Sequence, residues 1–537
     1  MQQATGAHAV ARALAEAGVQ WVFSLSGNQI LDLYDALLDT GIKLIHTRHE
    51  AAAGHMADAW GRLTDQPGVF LVTAGPGHAN GAVAAGVAGA AESPLLWLSG
   101  GSPLAQAGRG AFQEQDQVGL ATPVCKAAWL ANDPQNLPQL IASALELATA
   151  DPPGPVHVTI PTDIQAATVA GDAGVPAGPP QEGAQGEADE AAGIEAIVAL
   201  FGDAARPLIL ARPSLDRGQA RRDLDAFLEL TGIPGVIVES PRGLNDPAQP
   251  GVIGALGRAD AVLLLGPADF SVGFASPEAL APGCCVAQIA SPDEPPAATA
   301  GVILRTGARR GLELLTAAAA GRTWPRRAWW QPSLPDDPRD GRQPASEAGI
   351  HALEVCHAVL ARLGPGDCVI SDGGEFGQWA RLATASASAA GTTVVLNGKH
   401  GSIGTAVPFA LAAKLARPAA RIVAFSGDGG FGYHALELDT AVRYRLPVLI
   451  VVGNDARWGS EWHQQIDRYG EDRIFETALL PTRYDQLATA LGAAGERVET
   501  AAALPAAVGR AYESLATGRP YLLDVRIVSL PGPAPSP

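Results

Sequence analysis

Two glycine-flanked acidic motifs in the last third of the chain carry residue types suited to binding a metal ion and a phosphate. The first is Ser-Gly-Asp-Gly-Gly at 426–430, and the second is Gly-Asn-Asp at 453–455. Each follows an apolar run, ARIVAF in the first case and PVLIVV in the second. Glycines let a backbone approach a phosphate closely, and carboxylates are common ligands of Mg²⁺. The pair of motifs therefore indicates a metal-assisted phosphate site.

The charge of Asp428 supports the same interpretation. An aspartate at this place would repel a bare diphosphate, so its presence makes sense if a divalent cation lies between the two. Asp428, a side chain from Asn454 or Asp455, a backbone carbonyl and two phosphate oxygens could complete an octahedral shell for Mg²⁺. Taken alone, either motif is equally well explained as a tight turn. The occurrence of both motifs at this spacing favours a metal-assisted phosphate site over two unrelated turns.

Short apolar runs alternate with alanine-rich helical patterns over most of the chain, as in GVFLVTAGPGHANGAVAAGVAGA. Apolar runs joined by helices are typical of parallel sheets that are buried on both faces. Ligands bind beyond the carboxyl ends of strands in such sheets. A strand over Pro447–Val452 would bring Asn454 and Asp455 to the same edge as Asp428. The sequence predicts an α/β fold of three doubly wound parallel-sheet domains.

Composition changes at two places along the 537 residues. Residues 166–192 and 321–346 are rich in proline, glycine and charge, and we interpret them as linkers. They separate an N-terminal domain at 1–165, a middle domain at 193–320 and a C-terminal domain at 347–530. Three domains also suit the length, because single hydrophobic cores stop growing beyond about 250–300 residues.

The formal net charge of -18 disfavours nucleic acid and anionic membrane surfaces as partners. The chain begins MQQATGAHAV, without the basic region and apolar block of a signal peptide, and it has no apolar run of about 20 residues that could span a membrane. Its five scattered cysteines include no CxxC pair and are interpreted as reduced. We expect a soluble, cytoplasmic, globular protein.

The paired motifs resemble the signature of the thiamine-diphosphate (ThDP) enzyme superfamily, in which GDG is followed after a spacer by two asparagines. The chain is most similar to the acetolactate-synthase-like branch over nearly its whole length, and the middle domain is the weakest part. The resemblance implies pyrimidine-binding, middle and diphosphate-binding domains, with ThDP and Mg²⁺ as cofactors. Asp455 falls on the family's second asparagine, which is a departure. The implied metal ligands are Asp428, Asp455 and the Arg457 backbone carbonyl, with Asn454 as the alternative.

Two further segments acquire cofactor roles from the resemblance. NGKHGSIGTAV resembles the segment that holds the aminopyrimidine ring, which implies a backbone contact from Gly401 and an apolar support from Ile403. Glu50 stands where the family keeps the glutamate that activates the cofactor by proton transfer. Core packing is the local alternative for Ile403, and a first-turn acid favoured by the helix dipole is the alternative for Glu50. The other implied cofactor contacts are Gly427, Asp428, Gly429, Gly430, Asn454, Asp455 and Trp458.

The resemblance also implies a substrate pocket beside the cofactor. Gln113, in the loop GAFQEQDQ, is the second implied catalytic residue, and TAGPGHANG resembles another active-site loop. The implied pocket residues are Asn28, His78, Phe112 and Trp462. Loop structure or helix packing explains several of these equally well when each is taken alone. Because the family builds each site between two subunits, the resemblance implies a homodimer or a dimer of dimers, such as a homotetramer.

The first functional expectation is decarboxylation of a 2-oxo acid followed by carboligation, as in acetolactate synthase. A lyase or decarboxylase acting on a 2-hydroxyacyl or oxalyl thioester, like 2-hydroxyacyl-CoA lyase or oxalyl-CoA decarboxylase, is the alternative. A catalytically silent binding scaffold is a third hypothesis, which the retained Glu50, Asp428 and Asp455 disfavour. A nicotinamide dehydrogenase is disfavoured because no GxGxxG follows the first predicted strand.

The middle domain carries an expectation about flavin. Many acetolactate-synthase-like enzymes hold FAD there, where a glycine at a strand end is followed by a basic residue. The equivalent LLLGPADFSVGF has Pro267 and Ala268 after Gly266, and a proline has no backbone N–H to donate to a diphosphate. We expect that FAD is not a cofactor.

Overall fold

The computed structural model describes residues 4–169, 187–267, 279–325, 329–331, 349–386 and 391–533. The chain divides into two compact units. The first unit comprises Met1–Thr149, Gly154–Gly178 and Arg339–Pro533. The second unit comprises Ala150–Pro153, Pro179–Pro338 and Ala534–Pro537.

The first sheet is built from the N-terminal part of the first unit, in the order β2-β1-β3-β4-β6-β5 with all neighbours parallel. Its strands are β1 (Trp21–Ser24), β2 (Lys43–His46), β3 (Gly68–Val72), β4 (Leu95–Gly101), β5 (Ala127–Leu130) and β6 (Pro155–Pro161). The helices of this part are α1 (Gly6–Glu16), α2 (Leu31–Leu38), α3 (Glu50–Thr64), α4 (Pro76–Ala90), α5 (Gln117–Ala121), α6 (Leu137–Thr149) and α7 (Thr162–Ala166). The three strands β3, β4 and β6 are buried at every residue, as the continuous apolar runs predict.

The second unit contains a sheet in the order β11-β10-β9-β7-β8, again parallel. Its strands are β7 (Pro207–Ala211), β8 (Gly235–Ile237), β9 (Ala261–Leu265), β10 (Cys285–Ala290) and β11 (Ala300–Arg305). Its helices are α8 (Glu187–Asp203), α9 (Gly218–Thr231), α10 (Val252–Leu256) and α11 (Ala308–Ala319). Separate apolar clusters pack on the two faces of this sheet.

The third sheet lies in the C-terminal part of the first unit, in the order β13-β12-β14-β15-β17-β16 with parallel neighbours. Its strands are β12 (Cys368–Ser371), β13 (Thr393–Leu396), β14 (Ile422–Gly427), β15 (Leu449–Asn454), β16 (Ala494–Val498) and β17 (Tyr521–Arg526). Its helices are α12 (Ala352–Leu360), α13 (Gly374–Ser386), α14 (Ala406–Ala416), α15 (Asp428–His434), α16 (Glu437–Arg443), α17 (Gly459–Tyr469), α18 (Tyr484–Ala490) and α19 (Leu504–Ala516). The predicted α/β class with three parallel sheets is confirmed.

One apolar core joins the first and third sheets inside the first unit. It includes Phe70 and Trp97 from the first sheet and Ile370 and Phe409 from the C-terminal part. Helices α3 and α14 pack against each other within this core. The start of α3, which carries Glu50, is therefore held against the C-terminal part of the same chain.

The structure refines the predicted boundaries in two places. Strand β15 ends at Asn454 rather than Val452, because Asn454 still pairs with Arg526 of β17. Most of the predicted linkers, 166–192 and 321–346, lies outside the described residues. Within the described part, α8 begins at Glu187, since alanine and glutamate favour helix. Within the second unit, Trp329 Nε1 donates a 2.8 Å hydrogen bond to the Pro207 carbonyl at the start of β7.

Among the described residues, we find no helix with the length and apolar character that crossing a bilayer requires.

Candidate active site

The two acidic motifs of the sequence meet at one edge of the third sheet. Strands β14 and β15 are parallel neighbours, and Gly427 pairs with Gly453 in their register. Asp428 begins α15 directly after β14, and Asp455 directly follows β15. A cavity of about 210 Å³ opens at this edge. The residues that line it include Gly401, Ile403, Gly427, Asp428, Gly429, Gly430, Asp455, Arg457 and Trp458.

Asp428 and Asp455 form a buried pair of carboxylates in this cavity. Asp428 is 1% exposed, and its Oδ2 atom has no hydrogen-bond partner among the described residues. Burial, and secondly the charge of Asp455, raise the pKa of Asp428 above its ordinary value. Burial likewise raises the pKa of Asp455, whose Oδ2 accepts a 2.8 Å hydrogen bond from the Ser529 hydroxyl. Two neighbouring carboxylates are costly to bury, and the charge of Arg457 offsets this only in part, because the pKa of Asp455 is still raised; the pair therefore fits a divalent cation.

Asn454 takes a different position from its neighbour. Its side-chain amide donates to the Thr482 carbonyl at 3.0 Å and to Asp524 Oδ1 at 2.8 Å. Asn454 is 4% exposed and is not among the residues lining the cavity. The side chain therefore connects β15 to the neighbouring β17 region, whereas Asp455 faces the cavity.

The loop after Asp455 is fixed by backbone hydrogen bonds to a second segment. Ala456 has a positive φ of 56°, and its carbonyl accepts a 2.7 Å bond from the Leu479 N–H. The Trp458 N–H donates to the Thr477 carbonyl at 2.8 Å. These bonds hold Arg457 at the wall of the cavity.

Two tryptophans near this loop have different environments. Trp458 lines the cavity and lies so close to Gly429 that a Cβ atom there would be 2.7 Å from its ring. Gly429 is therefore required for this approach. Trp462 is half-buried, does not line the cavity, and has the Arg457 guanidinium 4.5 Å from its ring centroid.

Glu50 lies in a separate part of the first unit. It is the first residue of α3, whose N-cap His49 accepts a 3.0 Å hydrogen bond from the Ala51 N–H through Nδ1. The Asn80 side-chain amide donates to Glu50 Oε2 at 3.1 Å. A Cβ atom at Gly77 would lie 3.4 Å from Glu50 Oε1. Glu50 is half-buried beside the amino end of α4 and does not line the cavity of its own chain.

Two other predicted residues lie near the same end of α4. A Cβ atom at Gly75 would lie 3.0 Å from Gln113 Cβ, and Gln113 has a positive φ of 59°. Asn28 is exposed and follows Gly27, where a Cβ atom would lie 2.4 Å from Thr73 Cβ. The structure thus groups Asn28, Glu50 and Gln113 around residues 73–77.

The remaining predicted pocket residues are placed differently. Phe112 is 70% exposed on the same loop as Gln113. His78 is fully buried, stacks on Trp97 with ring centroids 4.2 Å apart, and has Nδ1 2.9 Å from the Ser99 hydroxyl. Burial lowers the pKa of His78 to about 4, so the ring is neutral near pH 7. These contacts make His78 part of the core under α4.

Comparison with known proteins decides the family. The family described as "Thiamine pyrophosphate enzyme, N-terminal TPP binding domain" matches residues 4–120, and its C-terminal TPP binding counterpart matches residues 372–525. The chain belongs to the thiamine-diphosphate-dependent enzymes. Both matched regions lie in the first unit, and the second contains the acidic pair Asp428 and Asp455.

Full-length relatives identify the branch of this family. An acetolactate synthase large subunit from Mycobacterium tuberculosis is 34% identical over 534 residues, covering 96% of this chain and 94% of the relative. The large subunit of acetolactate synthase isozyme 3 from Escherichia coli is 30% identical, with coverage of 98% and 95%. Human 2-hydroxyacyl-CoA lyase 2 is also 30% identical, with coverage of 91% and 84%. The predicted resemblance to the acetolactate-synthase-like branch is confirmed.

Asp372 is a buried residue beside the candidate site that the sequence analysis did not single out. It follows β12 and is 2% exposed. Its carboxylate accepts hydrogen bonds from the Ser426 hydroxyl at 2.7 Å and from the Gly404 N–H at 3.0 Å. It thereby joins the end of β14 to the loop containing Ile403. The sequence signal was present, because Asp372 follows an apolar run just as Asp428 does.

The C-terminal segment supplies part of the cavity wall. Ile527, Val528 and Leu530 line the cavity. The Gly532 N–H donates to Glu375 Oε2, and Glu375 lies in the first turn of α13. This contribution was not predicted, because nothing in the local sequence of the terminal segment indicates where it packs.

Proposed function

We propose that this ThDP enzyme uses Mg²⁺ to decarboxylate a 2-oxo acid and to join the resulting acyl unit to a second carbonyl compound. The observation that carries the proposal is the Asp428 and Asp455 pair at the glycine-rich carboxyl edge of a parallel sheet, where one Asp428 oxygen has no hydrogen-bond partner within the described part of the chain. The acetolactate synthases among the relatives support the choice of reaction.

Asp428, Asp455 and the Arg457 backbone carbonyl would hold Mg²⁺. Asn454 is the less favoured ligand, because its amide is bonded to Asp524. The N–H groups of Gly429 and Gly430 lie in the first turn of α15 and would face the diphosphate.

Gly401 and Ile403 would contact the aminopyrimidine ring, and both line the cavity. When bound, ThDP supplies the electron sink that stabilises the carbanion equivalent produced as CO₂ leaves a 2-oxo acid. Asp372 would orient the Ile403 loop through its hydrogen bond to the Gly404 N–H.

Glu50 would exchange a proton with the ring nitrogen of the aminopyrimidine through a carboxylate oxygen. Since Glu50 does not line the cavity of its own chain, we propose that it acts in the site of a second copy. Gln113 and Asn28 lie near the same helix end, so they would accompany Glu50 into that site. Exposed Phe112 and Tyr433, at 70% and 60%, supply apolar surface that a homodimer or a dimer of dimers would cover.

The proposed reaction is tested by incubating the purified protein with ThDP, Mg²⁺ and 2-oxo acids, singly and in pairs. CO₂ release and ligated products are followed by mass spectrometry. A protein that binds ThDP but converts none of the 2-oxo acids would contradict the proposal.

A lyase acting on a 2-hydroxyacyl thioester is a second candidate, favoured by the human 2-hydroxyacyl-CoA lyase relative. The same screen with 2-hydroxyacyl-CoA thioesters separates the two candidates. Cleavage to an aldehyde and a shortened acyl-CoA, without turnover of 2-oxo acids, would favour the lyase.

We also propose that the enzyme works without FAD. At the carboxyl edge of the middle sheet, the Arg212 guanidinium donates to Glu294 Oε1 at 2.7 Å. Glu294 therefore neutralises charge that could otherwise attract a flavin diphosphate. Pro267, next to Gly266, has no N–H to donate. Ala268, which follows Pro267, lies outside the described residues.

A further inference from the structure

In the segment just before Glu50, backbone groups of His46 and Arg48 form hydrogen bonds with side chains of α16 and of the residue that follows it. The Arg48 N–H donates to Glu437 Oε1 at 2.9 Å. The His46 N–H donates to the Tyr444 hydroxyl at 2.8 Å, and the His46 carbonyl accepts a 2.6 Å bond from the Arg443 guanidinium. The start of α3 is thus fixed by residues that follow the GDG motif in the same chain.

Glu437 is the central group of this contact. It is 1% exposed, and its Oε2 atom accepts a 2.6 Å hydrogen bond from the Thr440 hydroxyl. Burial raises the pKa of Glu437, and the backbone N–H groups of Arg48 and of His49, the residue directly before Glu50, lower it. A carboxylate so deeply buried is stabilised by such bonds, and its position is in turn determined by them. Its contacts with the N–H groups of Arg48 and His49 therefore help to define where α3 begins.

His434 connects the same region to the cofactor side of the sheet. Its Nδ1 atom lies 2.7 Å from the Gly404 carbonyl, one residue beyond Ile403. Its ring lies edge-on to His49, with centroids 5.7 Å apart. Helices α15 and α16 therefore contact both the loop proposed to hold the aminopyrimidine and the segment that carries Glu50.

We infer that Glu437 is a positioning residue that fixes Glu50 through the N–H groups of Arg48 and His49. This inference rests on the proposed role of Glu50. Proton transfer requires a carboxylate within hydrogen-bond reach of the ring nitrogen, and a displacement of about 1 Å can lower the rate roughly 100-fold. Glu437 and Glu50 belong to the same chain. Each chain would therefore use its own Glu437 to position the Glu50 that acts in the site of the second copy.

The test compares Glu437→Ala and Glu437→Gln with the full-length wild type. The alanine variant should lower kcat roughly 10–100-fold, while the Kd for ThDP in Mg²⁺, measured by tryptophan fluorescence, stays close to wild type. The glutamine variant should recover most of kcat, because its amide oxygen can still accept from Arg48. Should the alanine variant be insoluble, Glu437→Asp, which keeps the charge on a shorter side chain, is expected to lose kcat in the same way.

Asp439→Asn is the matched control. Asp439 also belongs to α16, but its carboxylate contacts the guanidinium groups of Arg443 at 2.7 Å and Arg48 at 3.8 Å, whereas Glu437 accepts from the Arg48 backbone N–H. Its substitution should leave kcat close to wild type. Equal losses in the Asp439 and Glu437 variants, or an unchanged kcat in folded Glu437→Ala, would overturn the inference.

Hydrogen exchange in the apoprotein provides a readout that needs no turnover. The peptide covering residues 46–51 should exchange faster in Glu437→Ala than in wild type, because the Arg48 and His49 amides lose their acceptor. Unchanged exchange would overturn the inference. If Glu50→Gln retains full activity, the proposed function of Glu50 fails instead, and the exchange result still decides whether Glu437 holds the segment.

Discussion

Replacing Asp455 by asparagine should stabilise the protein in the absence of cofactor and weaken its use of Mg²⁺. Two unit negative charges at about 4 Å repel by about 4 kcal/mol at an effective dielectric constant of about 20, which sets the upper scale for repulsion between neighbouring buried carboxylates. The apoprotein avoids most of this by binding a proton, so we expect asparagine to recover roughly 1–3 kcal/mol. Because 1 kcal/mol shifts Tm by about 2–4 °C in a domain of moderate size, the apoprotein Tm should rise by about 2–12 °C.

The same substitution should change the dependence of stability on pH. The pKa values of Asp428 and Asp455 are raised in the folded protein above the ordinary value of 3.8. The folded state therefore binds protons that the unfolded chain releases, and this stabilisation is lost as the pH rises through the raised values. Wild-type apoprotein should lose more stability than Asp455→Asn between about pH 5 and pH 8.

Scanning fluorimetry with and without ThDP and Mg²⁺ measures both effects. The variant should need roughly tenfold more Mg²⁺ for the same rise in Tm, because a neutral ligand replaces a charged one. Asp472→Asn, at an exposed position, is the matched control and should change neither quantity. A lower apoprotein Tm in Asp455→Asn, together with an unchanged Mg²⁺ requirement, would refute the paired-carboxylate reasoning.

Three further outcomes are expected. Glu50→Gln should lower kcat by roughly 100-fold or more while ThDP still binds, because the amide cannot transfer the proton; near-normal turnover in a steady-state assay would contradict this role. Asp428→Ala should lose Mg²⁺-dependent ThDP binding in calorimetry, and an unchanged Kd would exclude Asp428 as a ligand. The purified enzyme should be colourless and unaffected by added FAD. An absorption band from about one flavin per chain, together with activity that depends on this flavin, would contradict the prediction.

The parts of the fold that depend on local pattern could be predicted from the sequence. Strands β14 and β15 are continuous apolar runs, and parallel strands buried on both faces leave such runs. Since neighbouring parallel strands end at the same sheet edge, the proximity of Asp428 and Asp455 followed from their positions after the two runs. The end of β15 could not be predicted from the apolar run, because the polar residue Asn454 still pairs with the neighbouring strand β17.

Other features depend on contacts between distant segments and could not be predicted. His78 occupies a glycine-rich segment that suggests a loop, yet its ring stacks on Trp97 inside the core. Glu437 has the local pattern of an ordinary first-turn acid. Only the packing of α3 beside α16 brings its carboxylate to the Arg48 N–H. Similarly, the terminal segment reaches Asp455 through Ser529, and no periodic pattern signals that contact.

The charges around the cavity explain why diphosphate binding should depend strictly on the metal. Asp428, Asp455 and Glu375 all line the cavity, and Arg457 is the one lysine or arginine among its described lining residues. The Arg457 guanidinium is stacked on Trp462, so its side chain already has a partner there. A diphosphate would therefore meet more negative than positive protein charge. Backbone N–H groups at the start of α15 can offset part of this repulsion, but a cation bound between the Asp428 and Asp455 carboxylates would both end their mutual repulsion and attract the phosphate oxygens. We therefore propose that the acidic residue at 455, where the family resemblance implies an asparagine, makes the metal-free site less stable and its occupation by a cation more necessary.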